Sequence, residues 1–244
     1  MGDPAVEAQP QRDSEQFAEQ VRTMFDRISG VYDLMNSAMT AGLHHRWRQR
    51  AVDLAQVEPG SDALDVCCGT GDLALELRGR IGPDGRVVGC DFSEPMLEIA
   101  RRKAGERGLG VEFAWADALE LPYGERSFDA VTIGFGARNL ADLDKGLAEM
   151  ARVLRPGGRL VILEIITPTR EPLASFYGIW FDQIVPLLGN LVGDPYAYSY
   201  LPESVRSFPE PRELAARMDA AGFERIRWLL TAGGIIAIHG GTRK

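Results

Sequence analysis

The stretch Ala63-Leu-Asp-Val-Cys-Cys-Gly-Thr-Gly-Asp-Leu-Ala74 constrains this chain more than any other. Ala63 to Cys67 has the composition of a short buried strand, and Leu73 onward has helical spacing. Between them, Gly69-Thr70-Gly71 reads as a tight turn. Strand, glycine turn and helix present backbone N–H groups to a ligand, as doubly wound α/β folds do at the carboxyl ends of their strands. The spacing Gly69-x-Gly71-x-x-Ala74 fits a dinucleotide fingerprint, which alone discriminates poorly between ligands.

The acids around this turn narrow the choice. Asp65 lies just before it and Asp72 just inside the helix. Two carboxylates repel a pyrophosphate and attract a cation. S-adenosylmethionine carries an ammonium and a sulfonium and no phosphate, so the turn favours it over NAD. Val87-Val-Gly-Cys-Asp91 reads as the next strand and ends in a carboxylate, where such folds place an acid on the ribose hydroxyls. Phe113-Ala-Trp-Ala-Asp117-Ala118 ends a third strand in an acid suited to an adenine amino group. The competing explanation for Asp91 and Asp117 is a turn or capping role.

Composition sets outer bounds. The 244 residues, 45% hydrophobic and 25% charged, suit one α/β domain rather than several. A net charge of −8 argues against a broad nucleic-acid surface. The three cysteines, Cys67, Cys68 and Cys90, form no C-x-x-C pair, so no metal site is expected, and they suit strand ends in a reducing cytoplasm. Residues 1–16 lack a signal-peptide pattern, and the most apolar run, Phe176 to Val192, is broken by polar residues and Pro186.

Along the chain, 1–13 reads as a disordered tail and 14–244 as a single domain. Ser14 is a candidate cap for a helix whose stripe is Phe17, Val21, Met24, Phe25 and Ile28, and Ser29-Gly30 is expected to end it. Residues 31–47 show no clear period. With a helix from Trp47 to Val57, they make 14–57 a candidate lid over the cleft.

Strands are expected at 63–67, 86–91, 111–115, 128–134 and 159–165. Helices are expected at 72–80, 94–107 and 142–154, with a short helical link near 120–125. This alternation implies a parallel sheet with right-handed crossovers. A helix at 213–221 and two strands, 225–230 and 234–239, close the chain as an antiparallel hairpin on the sheet edge. Segment 167–212 holds seven prolines and many aromatics, including Phe176, Trp180 and Tyr200, and is a candidate substrate cap.

Four stretches together resemble the ubiquinone/menaquinone biosynthesis C-methyltransferase family, from about residue 17 to the end. They are Tyr32-Asp-Leu-Met-Asn36 with His44-His-Arg-Trp47, Cys67-Cys-Gly-Thr-Gly-Asp72, Thr132-Ile-Gly-Phe-Gly-Ala-Arg138-Asn139, and Arg152-Val-Leu-Arg-Pro-Gly-Gly158. Tyr200-Leu-Pro-Glu-Ser-Val-Arg206 and Gly233 to His239 add to the match. Thr40 stands where serine is usual, Arg155 where lysine is, and Cys67 where the general glycine loop has its first glycine. The double cysteine resembles the demethylmenaquinone branch.

The resemblance implies a class I S-adenosylmethionine-dependent methyltransferase fold, Rossmann-like, with a mostly parallel seven-stranded sheet. It implies C-methylation of a prenylated naphthoquinol, or of a benzoquinol. Cofactor contacts are expected from Asp65, Gly69, Thr70, Gly71, Asp91, Asp117, Ala118 and Gly134. Substrate contacts are expected from His44 and Tyr200, and catalysis from Arg138, Asn139 and Tyr32.

Carbon is a poor nucleophile unless a neighbouring phenolate enriches the ring, so Arg138 is placed to lower the phenol pKa or to orient a water that takes the proton. The competing explanation for Arg138 is a salt bridge to Asp142 or another surface acid. Other readings stay open: another phenolic or lipid acceptor, a cofactor-retaining binding protein, or an NAD-linked dehydrogenase. A prenylated substrate suggests a cytoplasmic protein that visits the inner face of the membrane through residues 176–200, and a homodimer is left open.

Overall fold

The structure is a computed structural model and describes residues 14–168, 178 and 195–244. The expected tail, the side chain of Ser14 and most of segment 167–212, Phe176 and Trp180 included, lie outside the described residues.

Seven strands form one sheet: β1 (Asp62–Val66), β2 (Arg86–Asp91), β3 (Glu112–Trp115), β4 (Phe128–Gly134), β5 (Leu154–Ile165), β6 (Phe223–Thr231) and β7 (Ile236–Arg243). Their order is β3-β2-β1-β4-β5-β7-β6. The first five run parallel, and β7 lies antiparallel between β5 and β6. The expected class I arrangement with its antiparallel C-terminal pair is borne out.

Alternation along each strand makes two cores. Leu64, Val66, Val131 and Ile133 face one way, toward Leu147 and Met150 of α5 (Leu143–Val153). Ala63, Val87, Ala130 and Val161 face the other, toward α2 (Leu43–Ala55) and α3 (Asp72–Ile81). Burial on both faces is why these strands read as continuous apolar runs. Further helices among the described residues are α4 (Glu94–Arg107), α6 (Pro195–Ser207) and α7 (Pro211–Ala220).

Three expectations are corrected. Helix α1 spans Ser14–Thr40 and does not end at Ser29-Gly30. Ser29 Oγ donates to Asp26 O at 2.9 Å, and Ser37 Oγ to Asp33 O at 2.8 Å, so the polar residues are satisfied inside the helix. One interior glycine costs only about 1 kcal/mol. Packing of Met24 and Met35 against Ala197 of α6 outweighs that. The segment without a clear period is therefore helical, broken only at Ala41-Gly42, whose φ angles are 48° and 76°.

The link near 120–125 is a set of turns after an Asp117–Glu120 bridge, not a helix. Finally, β5 begins at Leu154, opposite Phe128, and the next pair is Arg159 with Ala130. Pro156-Gly157-Gly158 thus loops out within the strand instead of preceding it.

Candidate active site

The carboxyl ends of β1, β2, β3 and β4 converge on one cleft of about 300 Å³. Gly71 has φ +83°, and a Cβ there would lie 2.8 Å from Ala100 Cβ and 2.9 Å from Phe113, so only glycine fits this turn. Cys67 takes φ +53°, the left-handed conformation that explains why glycine is usual at its position. Phe135, just past β4, is also left-handed, at φ +60°.

Asp91 joins the two principal loops. Its Oδ2 accepts the Gly69 N–H at 2.8 Å and its Oδ1 accepts the Ser93 N–H at 2.9 Å. Burial raises its pKa to about 6, against these N–H groups. Asp117 is exposed and accepts the Leu119 N–H at 2.8 Å, so it makes a turn while lining the cleft. The turn role weighed for these acids is therefore present, and both acids also line the cleft.

Cleft-lining positions include Gly69, Asp91, Asp117, Ala118, Gly134, Tyr32 and Asn139. Asp65, Thr70 and Gly71 do not line it. Asp65 is buried beneath the turn, 1% exposed, and accepts from Thr132 Oγ1 at 2.7 Å. Burial raises its pKa to about 7. Thr70 Oγ1 donates to Asp33 Oδ1 at 2.6 Å. Asp72 pairs with Arg48 at 3.0 Å and with Lys103.

A second chamber of about 510 Å³ adjoins the cleft and shares Phe25, Tyr32 and Phe135 with it. Its walls are mostly carbon, from Met24, Met35, Met39, Trp47, Ile165 and Leu201 among others. Arg138, His44 and Tyr200 also line it. Arg138 sits on a 3-10 turn, Ala137–Asn139. Its Nη1 donates to Glu164 Oε1 and to Phe135 O, each at 2.6 Å. Its Nε has no hydrogen-bond partner among the described residues. Burial opposes the charge, but Glu164, itself 0% exposed, holds Arg138 above its ordinary pKa. The alternative pairing with Asp142 is not what forms: Asp142 caps α5, accepting the Lys145 N–H at 2.9 Å.

Tyr200 donates to Asn139 Oδ1 at 3.0 Å, and Asn139 Nδ2 donates to Phe135 O at 3.3 Å. Burial lifts the Tyr32 phenol above its usual value, against Asn36, Arg138 and Arg48, so it is neutral at neutral pH. Burial and Arg48 lower His44 to about 4. Arg48 donates to its Nδ1, which leaves Nε2–H to donate to Ser37 Oγ at 3.2 Å. Both ring nitrogens are thus engaged between the helices.

Sequence reasoning missed Glu164, Phe135 and the α1 residues Glu19, Arg22 and Phe25 that wall the cleft. Glu164 is a strand residue with no motif around it. Its one signal was a carboxylate inside the apolar run Leu160 to Ile165.

Residues 12–243 match the ubiE/COQ5 methyltransferase family. The chain is 51% identical over 221 residues to a demethylmenaquinone methyltransferase of Thermus thermophilus, covering 90% of this chain and all of that one. It is 40% identical to the ubiquinone/menaquinone biosynthesis C-methyltransferase UbiE of Teredinibacter turnerae, covering 93% and 92%. In fold it is similar to a SAM-dependent methyltransferase from Aquifex aeolicus, with TM-score 0.60, 20% identity and coverage of 81% and 89%. With its glycine turn, its acid-tipped strands and its sheet order, the chain belongs to the ubiE/COQ5 methyltransferase family.

Proposed function

We propose that this chain transfers a methyl group from S-adenosylmethionine to a ring carbon of demethylmenaquinol, giving menaquinol, the last step of menaquinone biosynthesis. The observation that carries this reading is the position of Arg138. Ion-paired with the buried Glu164, it is a cation on a mostly apolar chamber that meets an acid-lined cleft across Tyr32 and Phe135. A prenylated quinol needs such a chamber, and its reacting hydroxyl needs a positive charge at the junction.

The cleft residues fit the donor. Asp91 and Asp117 line the cleft, and Arg22, the only cation among the described lining residues, lies 3.2 Å from Glu19, so a pyrophosphate finds no basic cradle. Gly69, Ala118 and Gly134 shape its walls, with Asp65, Thr70 and Gly71 supporting the turn behind them. When bound, S-adenosylmethionine supplies an electrophilic methyl group.

The chain's own residues prepare the ring. Arg138 draws the quinol hydroxyl toward phenolate by stabilising the negative oxygen, and the proton leaves through water. Neither Tyr32 nor His44 is the base. Tyr32 stays protonated at neutral pH, and His44 has both nitrogens engaged. Asn139, held by Tyr200, keeps the ring in line. After methylation the ring carbon loses its proton and aromaticity returns.

Residues 14–57 act as a lid and 167–212 as a substrate cap. No helix among the described residues is long and apolar enough to cross a membrane. The acceptor is met at the inner face of the membrane by a cytoplasmic protein. Methyl transfer from labelled donor to demethylmenaquinol and to the demethylated benzoquinol, each reduced and oxidised, tests the reading. Label on the reduced naphthoquinol alone is expected. Label on both reduced acceptors would make the enzyme dual-pathway, and label on neither, with donor still bound, would refute the assignment.

A further inference from the structure

Helix α1 forms a wall of the cleft, yet its polar face is tied to the two loops that build the cleft. Ser93 Oγ donates to Asp26 Oδ1 at 2.5 Å, and Thr70 Oγ1 donates to Asp33 Oδ1 at 2.6 Å. Thr70 belongs to the glycine turn. Ser93 lies two residues past Asp91 and caps α4, accepting from Met96 N. Asp26 and Asp33 are seven residues apart, two helical turns, so they share one face of α1 about 10 Å apart.

The second point is reinforced. Lys103 Nζ lies 2.9 Å from Asp33 Oδ2 and 3.3 Å from Thr70 Oγ1, and it also pairs with Asp72. Asp72 in turn pairs with Arg48, which reaches His44. One polar chain therefore joins α1, α2, the glycine turn and α4. By contrast, the far side of α1 presents Met24, Met35 and Met39 to the apolar chamber. The helix thus touches the donor cleft and the acceptor chamber at once.

The geometry points to Asp26 and Asp33 as a two-point clasp that closes α1 over the cofactor cleft. They are positioning residues that set how tightly and how long the donor and its demethylated product are held, without touching either. Each bond is made to a loop that shapes the cleft, so releasing α1 releases that wall. Both bonds lie on one helical face, so a single movement of α1 makes or breaks both. The inference rests on the assignment of the cleft to S-adenosylmethionine and not on the identity of the acceptor.

Binding of S-adenosylhomocysteine to the full chain, by calorimetry and stopped flow with no acceptor present, tests it. Asp33→Ala should weaken binding about tenfold, mostly through faster dissociation. The KM for the donor should rise by about as much while kcat changes less than about twofold. Asp33→Asn keeps an acceptor for Thr70 but loses the charge facing Lys103, and should fall between the two, which covers the case in which the alanine variant does not fold. Hydrogen exchange across residues 14–40 should slow when S-adenosylhomocysteine binds the parent and not when it binds Asp26→Ala/Asp33→Ala. Unchanged dissociation in folded variants, or loss of kcat with binding intact, would overturn the clasp. If the parent itself failed to bind S-adenosylhomocysteine, the cofactor reading would fail instead.

Discussion

The acid-lined cleft and the apolar chamber share three side chains but draw on different parts of the fold. The cleft is assembled mainly from strand ends, where the backbone direction is set by the sheet, with α1 as one wall. Its acids need only sit at the right position in their own strand. The chamber is walled mainly by helices α1, α2 and α6 and the turn after β6, brought together by tertiary packing, with Phe135, Arg138 and Ile165 at or just past strand ends closing one side. Its residues do not form one local pattern. A site made of strand ends is therefore recognisable locally, whereas a site made between helices is not.

Substitutions that separate the two regions test the contrast, beginning with the junction. Arg138→Ala should lower kcat by about 100-fold or more, since a charge acting on a developing anion in a dry site is lost. Donor binding should stay nearly intact, and equal loss of both would remove the assigned role. Because the change strands the buried Glu164, thermal unfolding should be followed alongside, with Arg138→Lys as the milder variant.

Within the cleft, Asp91→Ala removes the acceptor of both the Gly69 and Ser93 N–H groups. Donor affinity should fall by roughly 10- to 100-fold, equivalent to about 1.4–2.8 kcal/mol. The affinity for acceptor, measured at saturating donor, should hardly move.

The chamber should behave the other way. Met39→Ala ought to raise the KM for a prenylated quinol several-fold while leaving S-adenosylhomocysteine binding unchanged, at about 0.8 kcal/mol per methylene no longer covered. An equal effect on a quinol without its tail would show that the chamber holds the ring alone.

The smallest effect lies in pH dependence. Asp65 has its pKa raised from 3.8 to about 7 by burial. The folded state therefore binds the proton more tightly than the unfolded state, and stability falls as pH rises from about 4 to 7. Asp65→Asn keeps an acceptor for Thr132 and removes this loss. Relative to the parent, it should gain stability between pH 5 and 8, read from urea midpoints at each pH. His44 and His239, both lowered to about 4, act in the opposite direction below 6.5 and are common to both proteins.

The positions of β1 to β4 along the chain, the glycine turn, and the placement of Asp91, Asp117 and Arg138 near strand ends were legible because each is encoded within a dozen residues. Alternation marks the strand, glycine marks the turn, and an acid marks the strand's end. The full length of α1 was not legible. Local signals at Ser29-Gly30 favoured a stop, and what carried the helix through was burial of Met24 and Met35 against α6, far along the chain. The partner of Arg138 was missed for a similar reason. Asp142 is near in sequence, but the β4–β5 pairing puts Glu164 beside Arg138.

The sequence by itself thus determined the strands, the glycine turn and the two acids, Asp91 and Asp117, that line the cleft, because these depend on period and on backbone conformations that few residues adopt. Only the tertiary structure decided which buried groups pair, where Asp26 and Asp33 of α1 dock, and that a carbon-walled chamber meets the cleft at Tyr32 and Phe135. Those outcomes depend on distances between elements remote in sequence, and these are set by how helices pack on the finished sheet.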